Sequence, residues 1–179
     1  MSPHMIGVIS LNIFRRNMKN STSLLIIDMQ EGFITEETQH VTDNINNMLE
    51  NNTYDIIIAT KFLNYHESPF VKHLQWEEMI DNNTDLLSSV ELASDYIVEK
   101  YGYHCGQELI DILKENHIDK IDIVGVDTDA CILANATYLF DNVFDITVYS
   151  KLCASTGGID IHNSAIEILK RNIGSKNIV

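Results

Sequence analysis

Three side chains with the chemistry of a covalent catalyst each stand at or just past the end of an apolar run. Asp28 falls near the end of "SLLIIDM", Lys100 closes "DYIVEK", and Cys131 follows "IDIVGV" after the short polar turn "DTDA". A carboxylate, an ammonium and a thiol form a working set. A thiol at a helix start meets free N–H groups and the positive end of the helix dipole, and a neighbouring cation adds Coulomb attraction; both favour the thiolate. A carboxylate in reach takes the thiol proton and later returns it to a leaving amine or a water. Taken singly, Cys131 reads as a small buried apolar side chain, Asp28 as a turn former and Lys100 as a solvated strand end. Their common position at strand ends favours the chemical reading.

The elements that must position them alternate in type. Runs at 23–29, 55–60, 95–100, 121–126 and 145–150 are short, rich in Ile and Val, and continuous rather than alternating, as in parallel strands covered on both faces. Between them apolar residues recur at helical spacing: Val41, Ile45, Met48 and Leu49, then Leu109, Ile112 and Leu113, then Ile161, Ala165, Ile168 and Leu169. Strand–helix alternation predicts a three-layer α/β/α sandwich, with "NIV" at the end as a short edge strand. Ligands of such sheets bind beyond the carboxyl ends of the strands, where the three residues lie. Residues 61–94 break the rhythm: a weak helical stretch and the turn-rich "DNNTD" read as a lid over the site or as a decorated surface helix.

With 179 residues, 45 % of them hydrophobic, the chain suits one domain over 22–179 after an extension at 1–21. A net charge of −14 argues against nucleic acid and anionic membranes as partners. The three cysteines lack paired metal spacing, so neither a disulfide framework nor a zinc knuckle is expected. The opening "MIGVISLNIF" precedes Arg15 and Arg16, the wrong order for a signal peptide, and no run approaches the roughly 20 apolar residues of a span. A cytoplasmic protein is the expectation.

The motifs "LLIIDMQEGF" (Leu24–Phe33), "VEKYGY" (Val98–Tyr103) and "GVDTDAC" (Gly125–Cys131), in that order, resemble the isochorismatase-like cysteine hydrolases, which include nicotinamidases and N-carbamoylsarcosine amidases. The resemblance covers about residues 22–179. It implies a six-stranded parallel sheet of order 3-2-1-4-5-6, with Asp28 and Cys131 at its switch point. It further implies Cys131 as nucleophile, Asp28 as general base and Lys100 as the group orienting and stabilising the thiolate. The backbone N–H groups of Asp127 and Cys131 would form the oxyanion hole, after a cis peptide at Val126–Asp127. The substrate would be a small amide, ureido or carbamoyl compound.

Departures from the family pattern carry their own expectations. Where nicotinamidases show an Asp-x-His metal pattern, this chain has Phe62 and Asn64, so no metal and no other cofactor is expected; His66, His73 and His104 read as solvated loop residues. Gly106 stands where the family often has an aromatic, which widens the pocket, and the nearby Cys105 reads as a packing residue. The Asp127 carboxylate is expected to point away from the oxyanion hole. Phe33, Phe62 and Tyr103, with Trp76, would wall the pocket, and Gln30 and Asn64 would make polar contacts to substrate. Pro69, Phe70, Leu74, Trp76 and Met79 give the 61–94 passage an apolar face suited to a second copy of the chain, hence an expected homo-oligomer. Two other classes stay open: vinyl ether cleavage of the isochorismatase type, which needs a general acid rather than a thiol, and a non-catalytic binding or assembly protein on the same fold.

Overall fold

The computed structural model describes residues 21–179. The expected extension, with its apolar opening and Arg15–Arg16, lies outside the described residues apart from Ser21, which begins the first strand. Strands β1 (Ser21–Ile27), β2 (Ile56–Phe62), β3 (Tyr96–Lys100), β4 (Ile118–Val126) and β5 (Asp145–Ala154) are all parallel, in the order β3-β2-β1-β4-β5. Six helices connect or flank them: α1 (His40–Glu50), α2 (Pro69–Leu74), α3 (Ser88–Ala93), α4 (Gln107–Glu115), α5 (Leu133–Asp141) and α6 (Ile159–Ile173).

The strands are apolar without alternation because both faces are covered. Along β1, Leu25 and Ile27 join a core with Leu109 and Leu113 of α4, Leu139 of α5 and Leu169 of α6. The intervening Leu24 and Ile26 join Val41 and Ile45 of α1 and Val90 of α3 on the other face. All four strand residues are fully buried, each saving roughly 1.5–3 kcal/mol relative to exposure.

Two expectations need correction. Among the described residues the sheet has five strands, and the expected sixth does not join it. After α6, Gly174 (φ 94) leads into a 3-10 turn at Ser175–Asn177, and "NIV" makes only an isolated bridge, Val148 with Ile178. Within α6 the buried stripe is His162, Ala165, Ile166, Leu169 and Ile173, while Ile161 and Ile168 are exposed. The stripe is turned by one residue because a histidine, not the isoleucine before it, goes inward.

The long passage after β2 is built, not loose. Ser68 caps α2 by accepting a hydrogen bond from the Val71 N–H at 3.2 Å, Pro69 occupies the first turn, and Gln75 ends the helix in the left-handed region (φ 55). Phe70 and Met79 are buried within the chain and Leu74 stays 60 % exposed. Most of the apolar face expected to meet a second copy is therefore used inside the molecule. Among the described residues no helix is long and apolar enough to cross a membrane.

Candidate functional site

Between β1 and β4 the strand order reverses, and the chain leaves both strands through aspartates in the left-handed region, Asp28 (φ 50) and Asp127 (φ 58). Asp tolerates that region better than most residues. Just upstream, Gly125 (φ 131) lies so close to β1 that a Cβ there would stand 2.2 Å from the Ile27 carbonyl oxygen. Only glycine lets β4 reach the switch point on this path. β3 lies two strands from β1, yet the Lys100 side chain leans back across β2, with Nζ 4.9 Å from the centroid of the Phe62 ring.

The structure brings Asp28, Lys100 and Cys131 together. Lys100 Nζ lies 2.8 Å from Asp28 Oδ2 and 3.2 Å from Cys131 Sγ, and it also donates to the Gly102 carbonyl at 3.1 Å. Asp28 Oδ1 accepts from the Thr60 hydroxyl at 2.6 Å, while the Asp28 N–H donates to the same hydroxyl oxygen at 3.0 Å. Oδ2, close to the ammonium, has no well-aligned hydrogen bond. One carboxylate oxygen is thus committed to the fold and the other faces the buried ammonium.

Electrostatics fixes the resting state. Burial works against the Lys100 charge, but the Asp28 carboxylate and the Cys131 sulfur outweigh it and hold the lysine above its ordinary value. Burial and then Asp28 push the Cys131 thiol well up, with Lys100 pulling the other way. Both directions favour a thiol beside a charged lysine at rest.

Cys131 sits in a wide turn, Thr128–Ile132, rather than at a plain helix start. The N–H groups of Ala130 and Ile132 both donate to the Asp127 carbonyl, at 3.0 and 3.1 Å, the second closing an i to i+5 loop. Such π turns recur at functional sites. The expected cis bond at Val126–Asp127 is absent: peptide bonds among the described residues are trans. The left-handed Asp127 makes the change of direction instead. Its carboxylate accepts from the Thr156 N–H and hydroxyl at 2.9 and 2.7 Å, and burial raises its proton affinity against those bonds.

A cavity of about 220 Å³ opens over Cys131. Phe33, Phe62, Phe70, Trp76 and Tyr103 form its aromatic wall, and Asp127, Asp129 and Thr156 give it a polar side. The aromatic rings pack on one another, Phe62 on Phe70 at 5.0 Å and Phe70 on Tyr103 at 5.1 Å between centroids. Two expected pocket contacts are corrected. The Gln30 amide donates to the carbonyls of Phe62 and Thr84 and accepts from the Phe62 N–H, tying β1 to the long passage. The Asn64 amide donates to the carbonyls of Trp76 and Glu78, and its oxygen accepts from Tyr65 and Ser68. Buried backbone groups need partners, and both side chains serve that need instead of a ligand. His66, His73 and His104 are exposed and apart, and among the described residues no three His, Cys, Asp or Glu side chains converge as metal ligands would.

Sequence reasoning passed over two groups. Thr60, fully buried, anchors Asp28; the signal was a polar residue inside the run "IIIAT". Asn135, one turn after Cys131 and fully buried, donates to the carbonyls of Cys131 and Tyr103 and accepts from the Cys105 N–H, clamping the loop after β3 to the cysteine turn. A buried amide within "ILANATYL" was its signal. Cys105 itself packs in the core, its thiol pushed up to about 12 by burial.

A family model described as Isochorismatase domain matches residues 22–176. Among solved structures, an isochorismatase-like hydrolase from Alkaliphilus metalliredigens superposes with a TM-score of 0.76 at 19% identity, over 85% of this chain and 92% of its own. A pyrazinamidase/nicotinamidase from Streptococcus mutans gives 0.73 at 20% identity, over 89% and 100%. The N-carbamoylsarcosine amidase from Thermoplasma acidophilum gives 0.73 at 20% identity, over 86% and 93%. Among curated proteins no sequence matches the chain.

Proposed function

We propose, from the premise that this chain belongs to the isochorismatase domain family, that it is a cysteine hydrolase cleaving the C–N bond of a small amide, ureido or carbamoyl compound. One observation carries the reading: a buried thiol 3.2 Å from an ammonium that is itself 2.8 Å from a buried carboxylate oxygen.

In this reading the Cys131 sulfur attacks the carbonyl carbon while Asp28 Oδ2 takes the thiol proton. Lys100 stays charged and stabilises the forming thiolate, and the carbonyl oxygen becomes an oxyanion held by the N–H groups of Asp127 and Cys131. The C–N bond then breaks and Asp28 gives its proton to the departing nitrogen, leaving an acyl-enzyme thioester. Water attacks the thioester, Asp28 taking its proton; the C–S bond then breaks to release the acid, and Asp28 returns the proton to the Cys131 sulfur, restoring thiol and carboxylate. The raised thiol makes Asp28 a working base, because no thiolate stands ready beforehand.

The lining supports a substrate class. Aromatic faces and the Asp127 and Asp129 carboxylates surround the cavity, and no lysine, arginine or histidine is among its described lining residues. A flat neutral or cationic amide fits that surface, and a substrate carrying carboxylates does not. The same feature counts against vinyl ether cleavage of an isochorismate-like dianion, as the buried thiol does. The finer expectation of a homo-oligomer now rests on exposed apolar side chains such as Leu74, Ile161 and Ile168. Sedimentation equilibrium showing only a 20.3 kDa species rejects it.

The test is a screen of neutral, cationic and carboxylate-bearing amides with ammonia detection, repeated on Cys131→Ala. Hydrolysis should vanish in the folded variant, and turnover should survive EDTA dialysis because Phe62 and Asn64 are committed to packing and backbone. Comparable kcat/KM in Cys131→Ala sinks the covalent mechanism.

A further inference from the structure

Behind the cysteine turn lies a buried polar pair that the mechanism leaves unused. Thr128 follows Asp127, opens the turn and is fully buried. Its hydroxyl stands 2.8 Å from Nδ1 of His162, a ring residue only 9 % exposed near the start of α6. The ring does not face the catalytic cavity. It lines a separate one of about 500 Å³, together with His40, Ser155 and Gly158. Burial, with His40 adding to it and Asp129 opposing, lowers its proton affinity, so a neutral imidazole meets the hydroxyl at neutral pH.

A hydroxyl and an imidazole buried together each cost free energy unless bonded, and here each satisfies the other. Either ring tautomer closes the bond, since a hydroxyl both donates and accepts. The turn is then held at two consecutive side chains: Asp127 by Thr156 in the loop after β5, and Thr128 by His162 on α6. Those two anchors flank the N–H groups that the mechanism needs. A non-glycine residue in the left-handed region is strained and persists only where its surroundings hold it, so such neighbours set its orientation.

We propose that His162 is a positioning residue for the oxyanion hole: through the Thr128 hydroxyl it fixes the turn that aims the Asp127 and Cys131 N–H groups at the reacting carbonyl oxygen. It acts from outside the substrate pocket, which explains why a histidine occupies the inward stripe of α6. The inference rests on the reading of Cys131 as nucleophile.

Two probes separate this role from general support of the fold. Acylation of Cys131 by 4-nitrophenyl acetate forms an S–C bond, expels 4-nitrophenolate and passes through an oxyanion; alkylation by iodoacetamide forms no oxyanion. Both rates are measured on the full chain and corrected with Cys131→Ala, and thermal melts check folding. Thr128→Val removes the hydroxyl at nearly constant volume, and His162→Leu removes the ring nitrogens. Each should cut Cys131-dependent acylation about tenfold or more with KM unchanged, leaving alkylation within about twofold. Thr128→Ser and His162→Asn, which keeps a polar atom near the Nδ1 position, should restore acylation to within about threefold of the parent. Equal losses in acylation and alkylation overturn the proposal, as does full acylation by Thr128→Val or a failure of both conservative variants to rescue. If His162→Leu does not fold, the Thr128→Val and Thr128→Ser pair decides alone. A parent protein with no Cys131-dependent acylation sinks the nucleophile reading and this inference with it, an outcome distinct from a loss confined to the variants.

Discussion

Asp28 and Asp122 are both buried carboxylates of one parallel sheet, and each has a lysine within 4.0 Å. Their surroundings differ in kind. Asp28 lies one residue past the end of β1, against an ammonium only 1% exposed at 2.8 Å, with a thiol beyond it. Asp122 lies within β4, and its Oδ2 accepts from the hydroxyls of Tyr54 and Tyr149 at 2.8 and 3.1 Å, while Lys120, at 3.7 Å, is 41% exposed. Burial, together with the Asp122 carboxylate, raises both tyrosines, so they hold their protons and donate. Burial of a carboxylate does not by itself make a base. A strand end, a buried cation and a thiol nearby do; two donating tyrosine hydroxyls beside a mid-strand carboxylate make a structural acceptor.

The largest effect that tests this contrast is Asp28→Asn. It keeps the shape and the Thr60 contact but removes the proton acceptor, and acyl transfer should fall about 10³-fold per folded molecule. Asp122→Asn should leave the rate within about twofold. Matching losses at the two positions would erase the distinction.

The same contrast explains how much was legible. Asp28, Lys100 and Cys131 could be found because each sits where an apolar run stops, and a parallel sheet collects its strand ends on one side. The layers followed from unbroken Ile and Val runs. Roles set by distant backbone were hidden: Asn64 reads as a pocket contact until the carbonyls of Trp76 and Glu78 come round to meet it. His162 lies in the inward stripe of α6 although it is polar, because the buried Thr128 hydroxyl meets its ring. Of the expected sixth strand only the Val148–Ile178 bridge forms, because a 3-10 turn occupies Ser175–Asn177, and the left-handed Asp127 turns the chain where a cis bond was expected.

An intermediate effect concerns Cys131 protonation. A thiol raised by burial and by Asp28 is mostly neutral at pH 7, so iodoacetamide labelling, which needs thiolate, should climb about tenfold per pH unit from pH 7 to 9. Mass analysis should find Cys131 labelled before Cys105 and Cys153, whose thiols burial pushes up to about 12 and which do not line the catalytic cavity. A rate already level below pH 8 would mean a standing thiolate and remove the need for Asp28 as base.

The smallest effect belongs to the structural aspartate, and its sign depends on pH. Tyr54→Phe deletes one hydrogen bond to Asp122 and should cost about 1 kcal/mol at pH 8, read from urea midpoints. In the folded protein Tyr54 holds its proton above the ordinary value of 10.0, so the native state binds more protons than the unfolded chain once the pH passes that value. Stability contributed by the tyrosine is therefore complete below pH 10 and is lost as pH rises beyond it. One unit above, ionisation of the unfolded tyrosine offsets about 1.4 kcal/mol, so the gap between parent and Tyr54→Phe should close by about pH 11. Tyr149 shifts the same way, so the variant keeps part of the alkaline slope. Acyl transfer per folded molecule should not change at pH 8. A rate loss there, or a gap that widens with pH, would tie the Asp122 cluster to the chemistry after all.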